Sequence, residues 1–275
     1  MKNTFMKQNQ LTSYAATLLL LAALPFHSFS ATVPRPEHPR PDAFRTNWVT
    51  LNGEWQFEID QQGDGGSRGL RSGKDLAQKI IVPFCPESRL SGIGHYDKMT
   101  NVWYRRTFSV PASMKDKRVR LHFGGVDYQS WVWVNGQLAG THVGGNVSFA
   151  FDITRLLRTG DNEVVVRAFD DTASGRQPTG KQAHTVSEGC VYTRTTGIWQ
   201  PVWLEAVGTS FVENFSLVTD PDRARVLIEA TINGADADLE LTAETRPELM
   251  SLLVEIESRF AVVSKAMSIE YGAVA

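Results

Sequence analysis

The chain contains 275 residues, 42% of them hydrophobic and 10% aromatic, which is enough to build one large or two modest folded domains. Its formal net charge is -2 and it has no run of Lys or Arg, so the composition favours neither nucleic acid nor an anionic membrane as a partner. This composition is more consistent with an uncharged partner than with either of these.

Residues 1–30 have the pattern of an export signal. Lys2 and Lys7 precede an apolar run over residues 15–24, and Ser28 and Ser30 supply small residues where a signal peptidase cleaves. The run is too short to span a bilayer comfortably. We therefore expect cleavage after residue 30 and a mature chain that is periplasmic or extracellular.

The sequence contains two cysteines, Cys85 and Cys190. An exported protein can form a disulfide, but the spacing of these residues does not reveal whether they are partners. The sequence is compatible either with a disulfide bridge between them or with two free thiols.

After a proline-rich arm over residues 31–44, short alternating segments separated by turn residues predict strands. Many short strands without a long helix or an internal repeat predict an antiparallel two-sheet sandwich over about 45–207. The segments are GEWQFEI, KIIVPFCPE, NVWYRRTFSVP, RVRLHFGGV, QSWVWVNGQLAG, SFAFDIT, NEVVVRAFDD and GIWQPVWLEAV.

One hairpin is signalled by Asn135-Gly136, because both central residues of a type I′ turn need a positive φ. In the strand before it, Trp131 and Trp133 share one face, and Val132 lies on the other. The tryptophans belong either to the sandwich core or to an aromatic wall beside a ligand groove.

Alternation in SFVENFSLVTD and ARVLIEATINGADADLELTAE predicts the first strands of a smaller sandwich over residues 208–245. Residues 246–275 differ, because apolar residues recur there at helical spacing after Pro247. This tail is either a short amphipathic helix or the product of a shifted reading frame. The apolar positions are Leu249, Leu252, Leu253, Ile256, Phe260, Val263 and Met267.

The blocks VPFCPESRLSGIG, VWYRRTFSVP, RVRLHFGGVDYQSWVWVNGQLAGTHVGGNVSFAFDIT, NEVVVRAFDD and TTGIWQPVWLE together resemble the N-terminal sugar-binding domain of family 2 glycoside hydrolases. This family comprises β-galactosidases, β-glucuronidases and β-mannosidases. The resemblance implies an all-β chain: a jelly-roll, galactose-binding-like sandwich over 45–207, followed by the start of an immunoglobulin-like sandwich. It also implies that the hairpin tryptophans pack between sheets or against neighbouring domains.

The loop DDTASGRQPTGKQ contains the candidate sugar-binding residues Asp170, Asp171, Arg176, Gln177 and Lys181, with Gln182 beside them. Carboxylates and amides pair with sugar hydroxyl groups, and loops provide reach from a rigid sheet. In the family, an acidic residue after this strand can reach the sugar bound in a catalytic barrel, and Asp170 matches it best, with Asp171 next. The alternative is a solvated surface loop.

A second candidate group is Tyr192, Arg194 and Trp199, which either line the same groove or pack the sandwich against a barrel. The histidines His95, His122, His142 and His184 show no spacing typical of metal ligands. No cofactor is implied.

The resemblance places the catalytic carboxylates on a (β/α)8 barrel after the second sandwich. A barrel takes roughly 250 residues, and about 30 follow Thr245. The single Asn-Glu pair, Asn162-Glu163, opens a sandwich strand, and we reject it as catalytic. We therefore expect an inactive N-terminal fragment of an exported glycosidase that binds a β-linked saccharide. The alternatives are a stand-alone carbohydrate-binding module and a partner for a barrel encoded downstream.

Overall fold

The computed structural model describes residues 33–184, 186–223 and 225–234, together with strands at 252–257 and 268–273. Helices in these ranges are single 3-10 turns, at Pro41–Ala43, Arg89–Ser91, Ala112–Met114, Thr154–Leu156 and Pro221–Arg223. The strands are Trp48–Thr50 (β1), Gly53–Ile59 (β2), Gln78–Val82 (β3), Asn101–Ser109 (β4), Arg118–Phe123 (β5), Val126–Asp127 (β6), Gln129–Val134 (β7), Gln137–Val143 (β8), Phe149–Asp152 (β9), Asp161–Phe169 (β10), Gly197–Ile198 (β11), Val202–Val207 (β12), Phe211–Asp220 (β13), Arg225–Asn233 (β14), Leu252–Glu257 (β15) and Ser268–Ala273 (β16).

Two antiparallel sheets form the sandwich. One has the order β1-β12-β5-β9 and the other the order β3-β2-β4-β10-β7-β8. Strands distant in sequence pair in both sheets, so the fold depends on long-range contacts. The predicted all-β jelly-roll sandwich is confirmed.

The core lies between the two sheets and follows from alternation along each strand. In β5, Val119, Leu121 and Phe123 are buried. Trp55 and Phe57 of β2 are buried in the same cluster. Each such side chain contributes about 1.5–3 kcal/mol when it is removed from water.

The hairpin predicted at Asn135-Gly136 joins β7 to β8, and both residues have positive φ angles, 51° and 79°. Val132 of β7 faces the core. Trp131 and Trp133 do not, because they lie half-buried on the outer face of the six-stranded sheet. Of the two expected positions, the one between the sheets is therefore wrong, and packing against a neighbouring domain stays a prediction. Alternation fixes which residues share a face but not which face is covered by the other sheet.

A loop between β2 and β3 covers this outer face. Trp133 stacks on Trp103 with ring centroids 5.7 Å apart, in a cluster that includes Leu70 of the loop. The buried carboxylate of Asp60 accepts hydrogen bonds from the Trp103 indole (3.0 Å) and from the backbone N–H of Gly65 (2.9 Å). The glycine-rich segment is thus fixed to the sheet.

The hairpin of β13 and β14 contacts the outer face of the four-stranded sheet. The guanidinium groups of Arg45, Arg118 and Arg120 lie 6.0, 5.3 and 5.1 Å from the ring centroid of Phe211. Arg45 also donates to the carbonyl oxygen of Val212 at 2.5 Å. These cation–π and hydrogen-bond contacts join the hairpin to the sandwich.

The helix predicted for the tail is wrong over residues 252–257, which form β15 and pair with β16. In this short stretch Leu252, Val254 and Ile256 alternate, so the apolar positions fit a strand as well as a helix. The other predicted positions, residues 249, 260, 263 and 267, lie outside the described residues, as do residues 235–245. Among the described helices, none has the length and hydropathy to cross a membrane.

Candidate loop site at one end of the sandwich

The candidate loop begins where β10 ends. The backbone N–H of Asp170 donates to the carbonyl oxygen of Thr100 (2.9 Å), which lies just before β4. The neighbouring strand therefore fixes the first residue of the loop, and the chain turns away from the sheet after it.

The Asp170 side chain is buried, with 2% of its surface exposed. Its carboxylate accepts hydrogen bonds from the Gln177 amide (2.6 Å) and the Thr196 hydroxyl (3.0 Å). Burial raises the pKa of Asp170, and these two donors lower it in part. The carboxylate thus ties the middle of the loop, at Gln177, and the later segment at Thr196 to the end of β10.

The predicted site residues divide into two groups. Asp170, Asp171 and Gln177 lie together, because the Gln177 amide oxygen also accepts from the Asp171 backbone N–H (3.0 Å). Asp171 is half-buried and pairs with Lys98 at 2.8 Å. Arg176 and Lys181 are exposed on the same loop. Whether these five residues contact sugar stays a prediction.

Sequence reasoning missed two further carboxyl groups at this end, those of Asp127 and Glu87. Asp127 closes β6, is 5% exposed and accepts from the Gln182 amide at 3.0 Å. Burial raises the pKa of Asp127 to about 7, and the carboxylates of Asp170 and Glu87 contribute to the shift. Glu87 accepts from the Thr196 backbone N–H at 3.2 Å, so Thr196 bridges it to Asp170.

One signal for Asp127 is visible in the sequence, since a carboxylate stands between the apolar segments RVRLHFGGV and SWVWV. Such residues are rarely buried without a polar partner. The partner, Gln182, follows 55 positions later, and local pattern analysis does not connect positions that far apart.

A cavity of about 540 Å³ opens beside Asp127 and is bordered by Lys181, Gln182 and Trp199. The Trp199 indole donates to the carbonyl oxygen of Gly145 at 2.8 Å. The cavity presents an ammonium group, an amide and an aromatic ring, which are suited to hydroxyl-bearing ligands.

The second candidate group is not gathered in one groove. Of the three residues, only Trp199 borders this cavity. Arg194 is 3% exposed and donates to the carbonyl oxygens of Ala183 (3.1 Å) and Tyr96 (2.5 Å). Tyr192 is 60% exposed. Arg194 therefore holds two loops together, and the role of Tyr192 in packing against a barrel stays a prediction.

The remaining sequence expectations concern metals, cysteines and catalysis. Within the described ranges, no three His, Cys, Asp or Glu side chains are placed to hold a metal ion.

Cys85 is half-buried and Cys190 exposed, and both are free. Glu163 pairs with Arg105 and the Asn162 amide nitrogen bonds to the carbonyl oxygen of Arg158, so this pair has structural partners in the sandwich.

The fold is that of an antiparallel jelly-roll domain with the candidate loop at one end. Residues 49–204 match the model of the family described as glycosyl hydrolases family 2, sugar binding domain. The chain belongs to that family.

Two curated relatives illustrate the family. The chain is 29% identical over 216 residues to a putative beta-glucuronidase of Formosa agariphila, covering 76% of this chain and 17% of the relative. It is 31% identical over 204 residues to a beta-galactosidase of Thermoanaerobacter pseudethanolicus, covering 70% of this chain and 25% of the relative. The matched region is thus a quarter or less of each relative.

Solved structures agree on the fold. The beta-glucuronidase of Lactobacillus rhamnosus superposes with a TM-score of 0.54 at 21% identity, covering 84% of this chain and 38% of that one. The beta-glucuronidase of Ruminococcus gnavus in complex with D-glucuronic acid gives 0.57 at 18% identity, covering 87% and 42%.

Proposed function

We propose that this chain supplies the sugar-binding and scaffold domain of an exported glycosidase that hydrolyses O-glycosyl bonds of β-glycosides, and that it lacks the catalytic barrel. Family membership and the names of the relatives, β-glucuronidases and β-galactosidases, support the substrate class. The small share of each relative that the chain covers supports placing sugar binding and catalysis in different domains.

The observation that carries the proposal is the loop after β10. Asp170 anchors its base through Gln177 and Thr196, and Lys181 lies where the loop borders the 540 Å³ cavity. A rigid base with exposed polar groups can hold sugar-contacting side chains in fixed positions.

Binding by the loop is tested by titrating the purified chain with methyl β-D-galactoside and methyl β-D-glucuronide in a calorimeter. Lys181→Ala should weaken binding several-fold, because an ammonium–hydroxyl hydrogen bond is lost. Lys79→Ala, a change of an exposed lysine on β3, serves as the control. Equal affinities for both variants and the wild type would remove the loop from the site.

The inactivity of the chain is tested with chromogenic aryl β-galactosides and β-glucuronides. Family 2 chemistry of the retaining type needs two carboxylates about 5 Å apart, and we assign them to a barrel outside this chain. Turnover by the purified chain would overturn this assignment, and its loss in Glu163→Gln would show that Glu163 is one of the carboxylates. Turnover that appears only when a family 2 barrel is added would support it.

A stand-alone carbohydrate-binding module is the alternative, and the cavity beside Asp127 favours it because sugar-compatible groups are already present in this chain. Sequencing the coding DNA beyond the codon for Leu239, in all three frames, separates the two. A frame that resumes strands and then a barrel supports the glycosidase domain, and stops in every frame support the module.

Export is part of the proposal and rests on the pattern of residues 1–30. Mass spectrometry of the protein secreted by its host should give a first residue of Ala31. An intact Met1 in the mature protein would contradict export by this signal.

A further inference from the structure

A second cleft lies away from the candidate loop. It has a volume of about 930 Å³ and is bordered by the outer face of the four-stranded sheet and the β13–β14 hairpin. Ligand sites have volumes of about 300–1,000 Å³ and occur preferentially where two structural units meet. The position and size of this cleft therefore fit a binding site.

The fixed charges of the cleft cancel. Arginine and carboxylate side chains on its walls pair with one another: Arg40 with Asp42 (2.7 Å), Arg45 with Glu205 (2.5 Å) and Arg120 with Glu213 (3.3 Å). Burial lowers the pKa of His122 to about 4, which leaves its ring neutral at pH 7. A charged ligand would have to compete with an existing ion pair, whereas a neutral ligand would not.

Aromatic rings and short polar side chains supply the rest of the wall. Phe44 is 57% exposed, and Phe149 and Phe215 are half-buried. Asn214 and Ser148 are exposed at the border of the cleft. Ring faces suit the C–H surfaces of a pyranose, and amide and hydroxyl groups pair with its hydroxyl groups.

We propose that this cleft binds a neutral saccharide of one or two pyranose rings, at a site separate from the candidate loop. The cleft and the 540 Å³ cavity share only Val147 among their lining residues. Each has its own tryptophan, Trp203 in the cleft and Trp199 in the cavity. The site therefore does not depend on the function proposed above.

The two tryptophans allow the sites to be observed separately in the full chain. Their indole N–H signals in a ¹H–¹⁵N spectrum, assigned with Trp203→Phe and Trp199→Phe, are followed while lactose is added. We expect the Trp203 signal to shift in a saturable manner. Methyl β-D-glucuronide should shift this signal less at the same concentration.

Matched substitutions test the contacts. Asn214→Ala should weaken lactose binding at Trp203 about fivefold, as expected for one lost hydrogen bond to a neutral group. Asn146→Ala, which changes an exposed asparagine of the other cavity, should leave it unchanged. Ser148→Trp, just before β9, should fill the cleft and abolish the shift, whereas Ser216→Trp, on the β13–β14 hairpin but outside the cleft, should not.

The proposal is overturned if lactose leaves the Trp203 signal unchanged, if binding survives Ser148→Trp, or if the glucuronide binds more tightly than lactose. A shift confined to Trp199 and sensitive to Lys181→Ala would overturn this site and leave the loop site standing. A shift confined to Trp203 would support the cleft and count against the loop.

Discussion

At the scale of single residues, the loop-bearing end is unusual in holding the carboxyl groups of Glu87, Asp127 and Asp170 out of water. Burial raises the pKa of each, because a carboxylate loses its hydration there. Amide and hydroxyl donors offset part of that cost. The arrangement fixes the loop and also makes the stability of this end depend on pH.

Asp127 gives the clearest test of this dependence. Its pKa rises from 3.8 to about 7 in the folded chain, so the folded state binds the proton more tightly than the unfolded state. The stability from this group is full below about pH 4 and is lost as the pH rises through about 7. Asp127→Asn, which retains an acceptor for Gln182, should therefore raise the urea midpoint at pH 8 and leave it nearly unchanged at pH 4.

The control for this prediction is Asp97→Asn, which changes an exposed carboxylate near the same end. It should alter neither midpoint. A wild-type chain that is more stable than Asp127→Asn at pH 8 would show that the ionised carboxylate stabilises the fold, contrary to the argument.

At the scale of elements, the loop between β2 and β3 is held by contacts that leave no room for a side chain at Gly65. A Cβ atom there would lie 2.5 Å from the Trp103 indole nitrogen and 2.7 Å from the Asp60 carboxylate. Gly65→Ala should cost about 1–3 kcal/mol, because such overpacking displaces neighbouring groups.

The adjacent Gly66 provides a matched control, since a Cβ atom there would meet nothing within 4 Å. Urea unfolding of Gly65→Ala and Gly66→Ala compares the two directly. Equal urea midpoints for the two variants would mean that the loop does not pack against Trp103 at Gly65.

Arg194 makes a second prediction at this scale, because it joins the loop after β10 to the segment that contains Tyr96. Arg194→Met would leave buried carbonyl groups without a donor, at a cost of roughly 2–4 kcal/mol. Limited proteolysis should then cut both segments sooner. Arg176→Met, a change of an exposed arginine of the same loop, should leave the cleavage rate unchanged, and equal rates for the two variants would contradict the role of Arg194.

At the scale of the whole molecule, alternation predicts most strands of the sandwich, although it does not reveal the short strand β1. The covered outer face at Trp133 could not be predicted, because the covering loop carries no regular period. The strand at 252–257 differs from the predicted helix because the apolar positions of a six-residue segment fit both periods. The candidate loop is made of residues adjacent in sequence, whereas Asp127, Glu87 and the 930 Å³ cleft depend on pairings between distant strands.

The placement of the core leads to the last prediction. All members of the main core cluster lie between Leu51 and Ala206. The hairpin is linked to the sandwich by partly exposed contacts such as Arg118 with Asn233 and Arg120 with Glu213. These links, the Arg45–Val212 hydrogen bond and the three cation–π contacts of Phe211 contribute about 0–1 kcal/mol each. A mature chain shortened to end at residue 208 should therefore still fold and lose roughly 3 kcal/mol of unfolding free energy. Urea unfolding followed by tryptophan fluorescence measures this loss of unfolding free energy.

Phe211→Ala in the full chain, which loosens the hairpin without removing it, should give a smaller loss. A shortened chain that fails to fold would mean that the sandwich depends on the hairpin, and would contradict the independence of the core.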